Sequence, residues 1–206
     1  MTNIVFATTN PGKFEMVQKI CAHHGINIKN LVDFGIDIDV EEVGETLEEN
    51  AKIKAEAYAK LLPPDCIVIA DDTGVEIDAL GGEPGIKVKR WKGYNMADEE
   101  IIQYCLERMK GVPVGERGAQ FRTVLAVASR GSQVKYFDGI LRGEILLEPL
   151  PARREGMPFW PIFFIPQLKM TLGQFHDQPI EFQVAHPTHR ELAVIKLLPF
   201  LATLNH

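Results

Sequence analysis

Two adjacent aspartates, Asp71 and Asp72, directly follow the apolar run Cys66 to Ala70. Such a run is typical of a strand buried on both faces. We expect this strand to end at the aspartates, at the sheet edge where open α/β sheets bind ligands. Because successive strand residues point to opposite faces, one carboxylate can hold Mg²⁺ or activate water while the other fixes a neighbouring donor. An ordinary turn is the alternative, since Asp71-Asp72-Thr73-Gly74 is also favourable turn chemistry.

A second acidic pair, Glu41 and Glu42, precedes the second predicted helix. Magnesium seldom needs more than one or two protein carboxylates, because substrate phosphates and water supply its other ligands. Glu42 and Asp72 can therefore form a magnesium site. A solvated acidic loop is the alternative for this segment.

The second predicted helix begins at Thr46, where Thr46 and Glu49 match a capping box. Asn50 and Lys54 lie four residues apart and share one face of this helix. Lys54 can reach a phosphate from that face. The alternative is an exposed lysine on a helix surface.

A polar loop follows the short apolar run at residues 4–7. Its residues are Thr8, Thr9, Asn10, Pro11, Gly12 and Lys13. Asn10 can cap the next helix and Pro11 can occupy its first turn. The N–H groups and dipole at a helix start attract phosphate, and Lys13 and the threonine hydroxyls add donors. An ordinary capped turn is the alternative, because the loop lacks the GxxxxGK[ST] pattern of a P-loop.

Strand and helix patterns alternate along the chain without repeats. A third helix is predicted at 97–109, followed by a hairpin of strands at 120–128 and 134–145. Thr188 and Glu191 match a capping box for a last helix. The predicted fold class is therefore α/β, with a mixed twisted sheet flanked by helices.

Composition limits the classes of protein that this chain can belong to. Its 206 residues are 46% hydrophobic and 24% charged, which fits one globular domain over residues 1–206. The net charge of −6 argues against binding a nucleic-acid polymer. The three cysteines have no metal-binding spacing and are predicted to be buried free thiols. We expect no signal peptide and no membrane partner, hence a soluble cytoplasmic protein.

Five blocks occur in a fixed order between about residues 3 and 200. They are Thr8–Lys13, Glu41-Glu42 with Glu49-Asn50-Ala51 and Lys54, Ala70–Val75, Leu80–Ile86 with Arg90, and His189-Arg190. The first resembles the motif T/S-x-N-x-x-K, the third A-D-D-S/T-G-L and the last S-H-R. Each block alone is unspecific. Together they resemble the inosine triphosphate pyrophosphatase family.

Members of that family hydrolyse ITP, dITP and XTP between the α and β phosphates, with Mg²⁺ and usually as dimers. The resemblance implies such an enzyme, with Mg²⁺ or Mn²⁺ as cofactor, a nucleotide as substrate, and a homodimer of two-lobed subunits with the active-site cleft between the lobes. It implies Glu42 and Asp72 as metal ligands, Asp72 also as catalytic base, and Lys13 as the group that stabilises pyrophosphate. The substrate contacts that it implies are Thr8, Thr9, Asn10, Pro11, Gly12, Lys13, Lys54, Thr73, Phe159, Trp160, His189 and Arg190.

The aromatic block departs from the family pattern F-G-Y/W-D-P-x-F. Pro158 stands in place of the glycine and Trp160 in place of the aspartate. Val184 stands near the position of the lysine that precedes the last block in the family. The triphosphate half of the site thus matches the family and the base half does not. We expect the base to stack on Phe159 or Trp160, with weaker discrimination between bases.

Two other functions are compatible with these features. One is a nucleotide-binding protein with lost turnover or altered specificity, and the other is a pyrophosphatase for modified pyrimidine nucleotides. The presence of both Glu42 and Asp72 favours turnover. The blocks at Ala70–Gly74 and Leu80–Ile86 favour the purine-directed family.

Overall fold

The computed structural model of the protein describes residues 3–151 and 153–203. The strands within these ranges are β1 (Asn3–Phe6), β2 (Cys66–Ile77), β3 (Pro84–Gly85), β4 (Gly118–Ala128), β5 (Lys135–Ile145), β6 (Phe163–Ile165) and β7 (Met170–Thr171). The helices are α1 (Pro11–His23), α2 (Leu47–Leu61), α3 (Asp98–Arg108), α4 (Leu172–His176), α5 (Ile180–Ala185) and α6 (His189–Thr203).

The strands form one mixed sheet in the order β1-β2-β4-β5-β6-β7, with β3 paired to β2. β1 and β2 are parallel, in a register that runs from Asn3 opposite Cys66 to Phe6 opposite Ile69. β3 pairs with β2 in the antiparallel sense, as do β6 with β5 and β7 with β6. The predicted α/β class with a mixed sheet is confirmed.

The chain divides into two compact units. The first unit comprises the residues up to Thr73, Thr123–Ile140 and the residues from Pro187 onward, and the second comprises Gly74–Arg122 and Leu141–His186. β2, β4 and β5 each contribute residues to both units. A single domain over residues 1–206 stays a prediction, and residues 1, 2, 152 and 204–206 lie outside the described residues.

The predicted helix starts are present in the first unit. The Asn10 side chain accepts a hydrogen bond from the Lys13 N–H, and Pro11 occupies the first turn of α1. Thr46 and Glu49 form the reciprocal hydrogen bonds of a capping box at α2. These caps satisfy N–H groups of the first helical turn that have no partner within the helix. They therefore set the residue at which each polar segment stops and the helix begins.

β2 is longer than the sequence predicted. We expected a strand that ends at the two aspartates, but β2 continues to Ile77. Residues 71–74 have a composition that favours a turn, but the residues after them form strand pairs with β3, with Val75 opposite Gly85. This pairing keeps the segment extended. The aspartates therefore lie inside a strand, just past Ile69, where the parallel pairing with β1 stops.

Gly139 of β5 allows a close contact with the start of α6. A Cβ atom at this position would lie 1.9 Å from the carbonyl oxygen of His189 and 2.7 Å from the backbone nitrogen of Ala193. Since such distances are far below van der Waals contact, only glycine permits this approach. The start of α6, which carries His189 and Arg190, is thus fixed against β5.

The three cysteines are free and buried, as predicted. Burial raises the pKa of the Cys21 and Cys105 thiols to about 12, which makes both poor nucleophiles near neutral pH. Within the described ranges, no helix is both long and apolar enough to cross a membrane.

Candidate active site

Asp71 and Asp72 are both buried, with 2% and 7% of their surface exposed. They have different partners, as the alternation of side chains along a strand predicts. Asp71 lies 3.1 Å from Nζ of Lys13 and 3.5 Å from a guanidinium nitrogen of Arg190. Asp72 accepts hydrogen bonds from Nδ2 of Asn50 at 3.2 Å and from the Thr73 N–H at 2.9 Å. Two neighbouring carboxylates thus have different direct partners.

The cluster around Asp71 is an ion cluster with more than one cation. Burial alone would raise the pKa of Asp71, but Lys13, Arg190 and Lys54 hold it well below its usual range. Burial lowers the pKa of Lys13. The charge of Asp71 raises this pKa, whereas repulsion from Lys54 and Arg190 lowers it further. Asp71 is therefore ionised at neutral pH. An additional anion at this cluster would relieve the repulsion among the three cations.

Lys54 links the second carboxylate to Glu42. Its Nζ atom lies 2.5 Å from Oε1 of Glu42 and 3.9 Å from Oδ1 of Asp72. Burial alone would lower the pKa of Lys54, but Asp71, Asp72 and Glu42 together raise it, so the ammonium stays charged. Burial raises the pKa of Asp72, and the negative charge of Glu42 raises it further. The positive charge of Lys54 lowers this pKa but does not cancel the increase. The predicted metal ligands Glu42 and Asp72 are thus brought to one ammonium group.

Asn50 fixes the orientation of Asp72. Its side-chain oxygen accepts a hydrogen bond from the Gly44 N–H at 2.8 Å, while its Nδ2 donates to Asp72. A Cβ atom at position 44 would lie 2.7 Å from that oxygen, so glycine is required for the contact. Asn50 was not among the predicted site residues, although its spacing from Lys54 on α2 was a usable signal.

The predicted phosphate loop reaches this site through Lys13. Within the loop, the Thr8 hydroxyl accepts a hydrogen bond from the Asn10 N–H at 3.2 Å. Oδ1 of Asn10 accepts from the Lys13 N–H at 3.1 Å. Thr9 and Pro11 are exposed, and Gly12 is half-buried. The loop side chains therefore order its backbone, and the Lys13 side chain connects the loop to Asp71.

Arg190 belongs to the same cluster as Lys13. It is 2% exposed, and one guanidinium nitrogen donates to the Thr73 hydroxyl at 3.2 Å. Its other terminal nitrogen donates to Sδ of Met16 at 3.4 Å. His189 precedes it on α6 and is 1% exposed. The sequence predicted His189 and Arg190 as substrate contacts, and Arg190 lies against Asp71 and Thr73 of β2.

Phe159 and Trp160 belong to the second unit, where both rings are buried. Trp160 stacks on His176 with ring centroids 4.2 Å apart and an interplanar angle of 19°. The Arg154 guanidinium lies over the Trp160 ring at 5.4 Å. Phe159 packs edge-on against Phe121 at 6.2 Å. The rings expected to stack on a base are thus packed within their own unit.

The site contains three cationic side chains, Lys13, Lys54 and Arg190, and three acidic ones, Glu42, Asp71 and Asp72. In the described part of the chain, no group of three or more His, Cys, Asp or Glu side chains is placed to hold a metal ion. An all-protein cage is not what Mg²⁺ requires, since one or two carboxylates suffice when phosphates supply other ligands. Glu42 and Asp72, whose negative charges repel each other, fit that requirement.

Carboxylates and cations gathered beyond the end of a parallel strand pair are typical of α/β proteins that bind phosphorylated ligands. The family model of the Ham1 family matches residues 4–200. The chain belongs to the Ham1 family, and the predicted family resemblance is confirmed.

Relatives cover most of the chain. The dITP/XTP pyrophosphatase of Bacillus subtilis is 38% identical over 174 residues, which are 84% of this chain and 86% of the relative. The dITP/XTP pyrophosphatase of Staphylococcus aureus strain MRSA252 is 37% identical over 203 residues, which are 98% of this chain and 97% of the relative. The solved HAM1 protein of Coxiella burnetii matches with a TM-score of 0.81 at 31% identity, over 98% of this chain and all of the other.

Asn50→Leu should lower the free energy of unfolding measured in urea. The substitution keeps a similar side-chain size but leaves the Gly44 N–H and one oxygen of Asp72 without these partners. A buried polar group without a partner costs about 1–3 kcal/mol. The matched control is Asn95→Leu, because Asn95 is exposed. Equal losses in the two variants would contradict the role of Asn50 as a buried bridge.

Proposed function

We propose that this chain hydrolyses the bond between the α and β phosphates of non-standard purine nucleoside triphosphates such as ITP, dITP and XTP, and releases the monophosphate and pyrophosphate. The names of the relatives bear out the predicted enzyme class. The observation that carries the proposal is the division of Asp71 and Asp72 between two clusters. One cluster gathers cations suited to phosphates, and the other gathers carboxylates suited to a metal ion and a water molecule.

The triphosphate binds at the cluster around Asp71, which contains Lys13 and Arg190. Lys13 and Arg190 lie close enough to Asp71 that both are held in place before a ligand arrives. Preorganised cations of this kind stabilise the charge that develops on the leaving pyrophosphate. The loop residues Thr8, Thr9, Asn10, Pro11 and Gly12 line the approach to Lys13, and Lys54 and Thr73 complete the phosphate contacts.

Glu42 and Asp72 would hold the metal ion, Mg²⁺ or Mn²⁺. The positive and negative side chains of the site are equal in number, so the protein alone offers no net positive charge to a triphosphate. A bound divalent cation would supply that charge and neutralise the phosphate oxygens.

Asp72 acts as the general base that takes a proton from the attacking water. Its two oxygens are oriented by Asn50 and by the Thr73 N–H, which keeps the carboxylate in one position. Burial raises its pKa, which brings the group closer to the range in which a carboxylate is an effective base.

As the family resemblance implies, we propose that Phe159 and Trp160 contact the base of the nucleotide. Because Trp160 stacks on His176, its ring is held in place and would contact the base as part of a rigid, packed surface. The absence of a carboxylate at position 160 removes one polar group for reading the base. We therefore propose a broad base preference. We also propose a homodimeric state, which rests on the family resemblance, and a cytoplasmic location, which rests on the sequence features described above.

The purified protein with Mg²⁺ should release pyrophosphate, not orthophosphate, from dITP and XTP, and EDTA should abolish the activity. The assay follows both products without added inorganic pyrophosphatase, over a panel that includes ATP, GTP and modified dUTP. Direct release of orthophosphate would contradict the cleaved bond. Binding without turnover would indicate a nucleotide-binding protein, and a preference for modified dUTP would indicate a pyrimidine-directed enzyme.

Asp72→Asn should reduce kcat by at least the factor of about 10²–10⁴ that general bases contribute, because an amide cannot take a proton. The shape of the side chain is nearly unchanged but one acceptor oxygen is lost, so the variant should stay folded with a free energy of unfolding lowered by about 1–3 kcal/mol. Asp65→Asn is the control, since Asp65 lies just before β2 and is exposed. Near-normal activity of Asp72→Asn would refute the assignment of the base.

A further inference from the structure

Thr123 of β4 is a fully buried polar residue that none of the sequence motifs includes. Its hydroxyl oxygen lies 2.7 Å from the hydroxyl oxygen of Thr73. The Thr73 hydroxyl also lies 3.4 Å from Oδ2 of Asp71 and 3.2 Å from a guanidinium nitrogen of Arg190. Thr73 is thus surrounded by three hydrogen-bonding groups of the first unit.

The chemistry of these groups fixes the direction of two hydrogen bonds. A hydroxyl has one hydrogen to donate and two lone pairs that accept. Arg190 can only donate, so it occupies one lone pair of Thr73. Asp71 forms ion pairs with Lys13 at 3.1 Å and with Arg190 at 3.5 Å, so its carboxylate accepts and takes the Thr73 hydrogen. One lone pair of Thr73 is left for Thr123.

The opposite direction between the two threonines is unfavourable. If Thr73 donated to Thr123, the Thr123 hydrogen would need another acceptor. Across residues 3–151 and 153–203, the hydrogen-bond partner of the Thr123 hydroxyl is Thr73. A fully buried hydroxyl hydrogen without an acceptor is disfavoured. The bonds therefore run from Thr123 to Thr73 and from Thr73 to Asp71.

We propose that Thr123 is a positioning residue that, together with Arg190, fills both acceptor sites of the Thr73 hydroxyl and leaves it solely a hydrogen-bond donor to an anion. The Thr73–Asp71 bond is long, and Asp71 keeps Lys13 and Arg190 as partners when it is released. The Thr73 hydrogen then turns from Asp71 to a phosphate oxygen of the substrate. This inference rests on the proposed function, since it assigns the phosphate contact of that site.

The test compares Thr123→Val, which keeps the shape but removes the hydroxyl, with Thr123→Ser, which retains the hydroxyl. Loss of one hydrogen bond that supports a charged contact should raise KM for dITP and XTP by about three- to tenfold, with little change in kcat. The ratio between bases should not change, because the affected contact is with phosphate. Thr123→Ser should keep the KM of the unmutated protein. If Thr123→Val does not fold, as judged by circular dichroism, Thr123→Ala replaces it.

A double-mutant cycle separates this role from a general loss of packing. Thr73→Val should raise KM at least as much as Thr123→Val, and the double variant should be no worse than Thr73→Val alone. Effects that multiply in the double variant, or a Thr123→Val enzyme with an unchanged KM, would overturn the proposal.

A binding measurement decides the inference separately from turnover. The same variants are titrated with inorganic tripolyphosphate and Mg²⁺ by calorimetry, and the affinities should fall in the same pattern. If the unmutated protein binds tripolyphosphate but hydrolyses no nucleotide, the proposed function fails while the role of Thr123 is still decided by these affinities. If tripolyphosphate does not bind, or binds equally to all variants, the role of Thr123 is refuted.

Discussion

The buried charge of Asp71 is the constraint on which the candidate site depends. A buried carboxylate without a partner would become protonated or destabilise the fold. Asp71 instead stays ionised because Lys13 and Arg190, from the start of α1 and the start of α6, both contact it. The starts of α1 and α6, which are far apart in the sequence, are thus both joined to β2 at Asp71. The cations that meet the charge of Asp71 are also the groups that a triphosphate needs.

Asp72, the next residue, differs from Asp71 in that its pKa is raised rather than lowered. Its neighbours include Glu42, and Lys54 lies near both of these carboxylates. Because Asn50 and the Thr73 N–H orient it, the carboxylate cannot turn away from this repulsion. A site of this kind gains stability from a further cation. The alternation of side chains in one strand therefore separates phosphate binding from metal and water binding.

Much of this arrangement could be predicted from the sequence because it depends on local patterns. The helix caps at Asn10 and Thr46 follow from residue type and spacing, and the buried start of β2 follows from its apolar run. The extension of β2 to Ile77 could not be predicted this way. Residues 71–74 have turn-like composition, and pairing with distant strands overrides that preference.

Contacts between distant parts of the chain account for the other differences. Nothing near Thr123 in the sequence indicates that it faces Thr73, since the contact arises from the packing of β4 beside β2. Arg190 was expected to contact the substrate because of its motif, but the motif does not reveal that its buried guanidinium lies against Asp71. Trp160 was expected to be available for stacking, but His176 already occupies a stacked position against it.

The division of roles between Asp71 and Asp72 can be examined in a crystal structure of the protein with Mg²⁺ and a dITP analogue that carries a non-hydrolysable α–β bridge. Phosphate oxygens should lie within hydrogen-bond distance of Lys13 and Arg190, the metal ion should lie on Glu42 and Asp72, and Asp71 should still be paired with Arg190. A metal ion on Asp71, or phosphates that contact neither Lys13 nor Arg190, would contradict this division of roles.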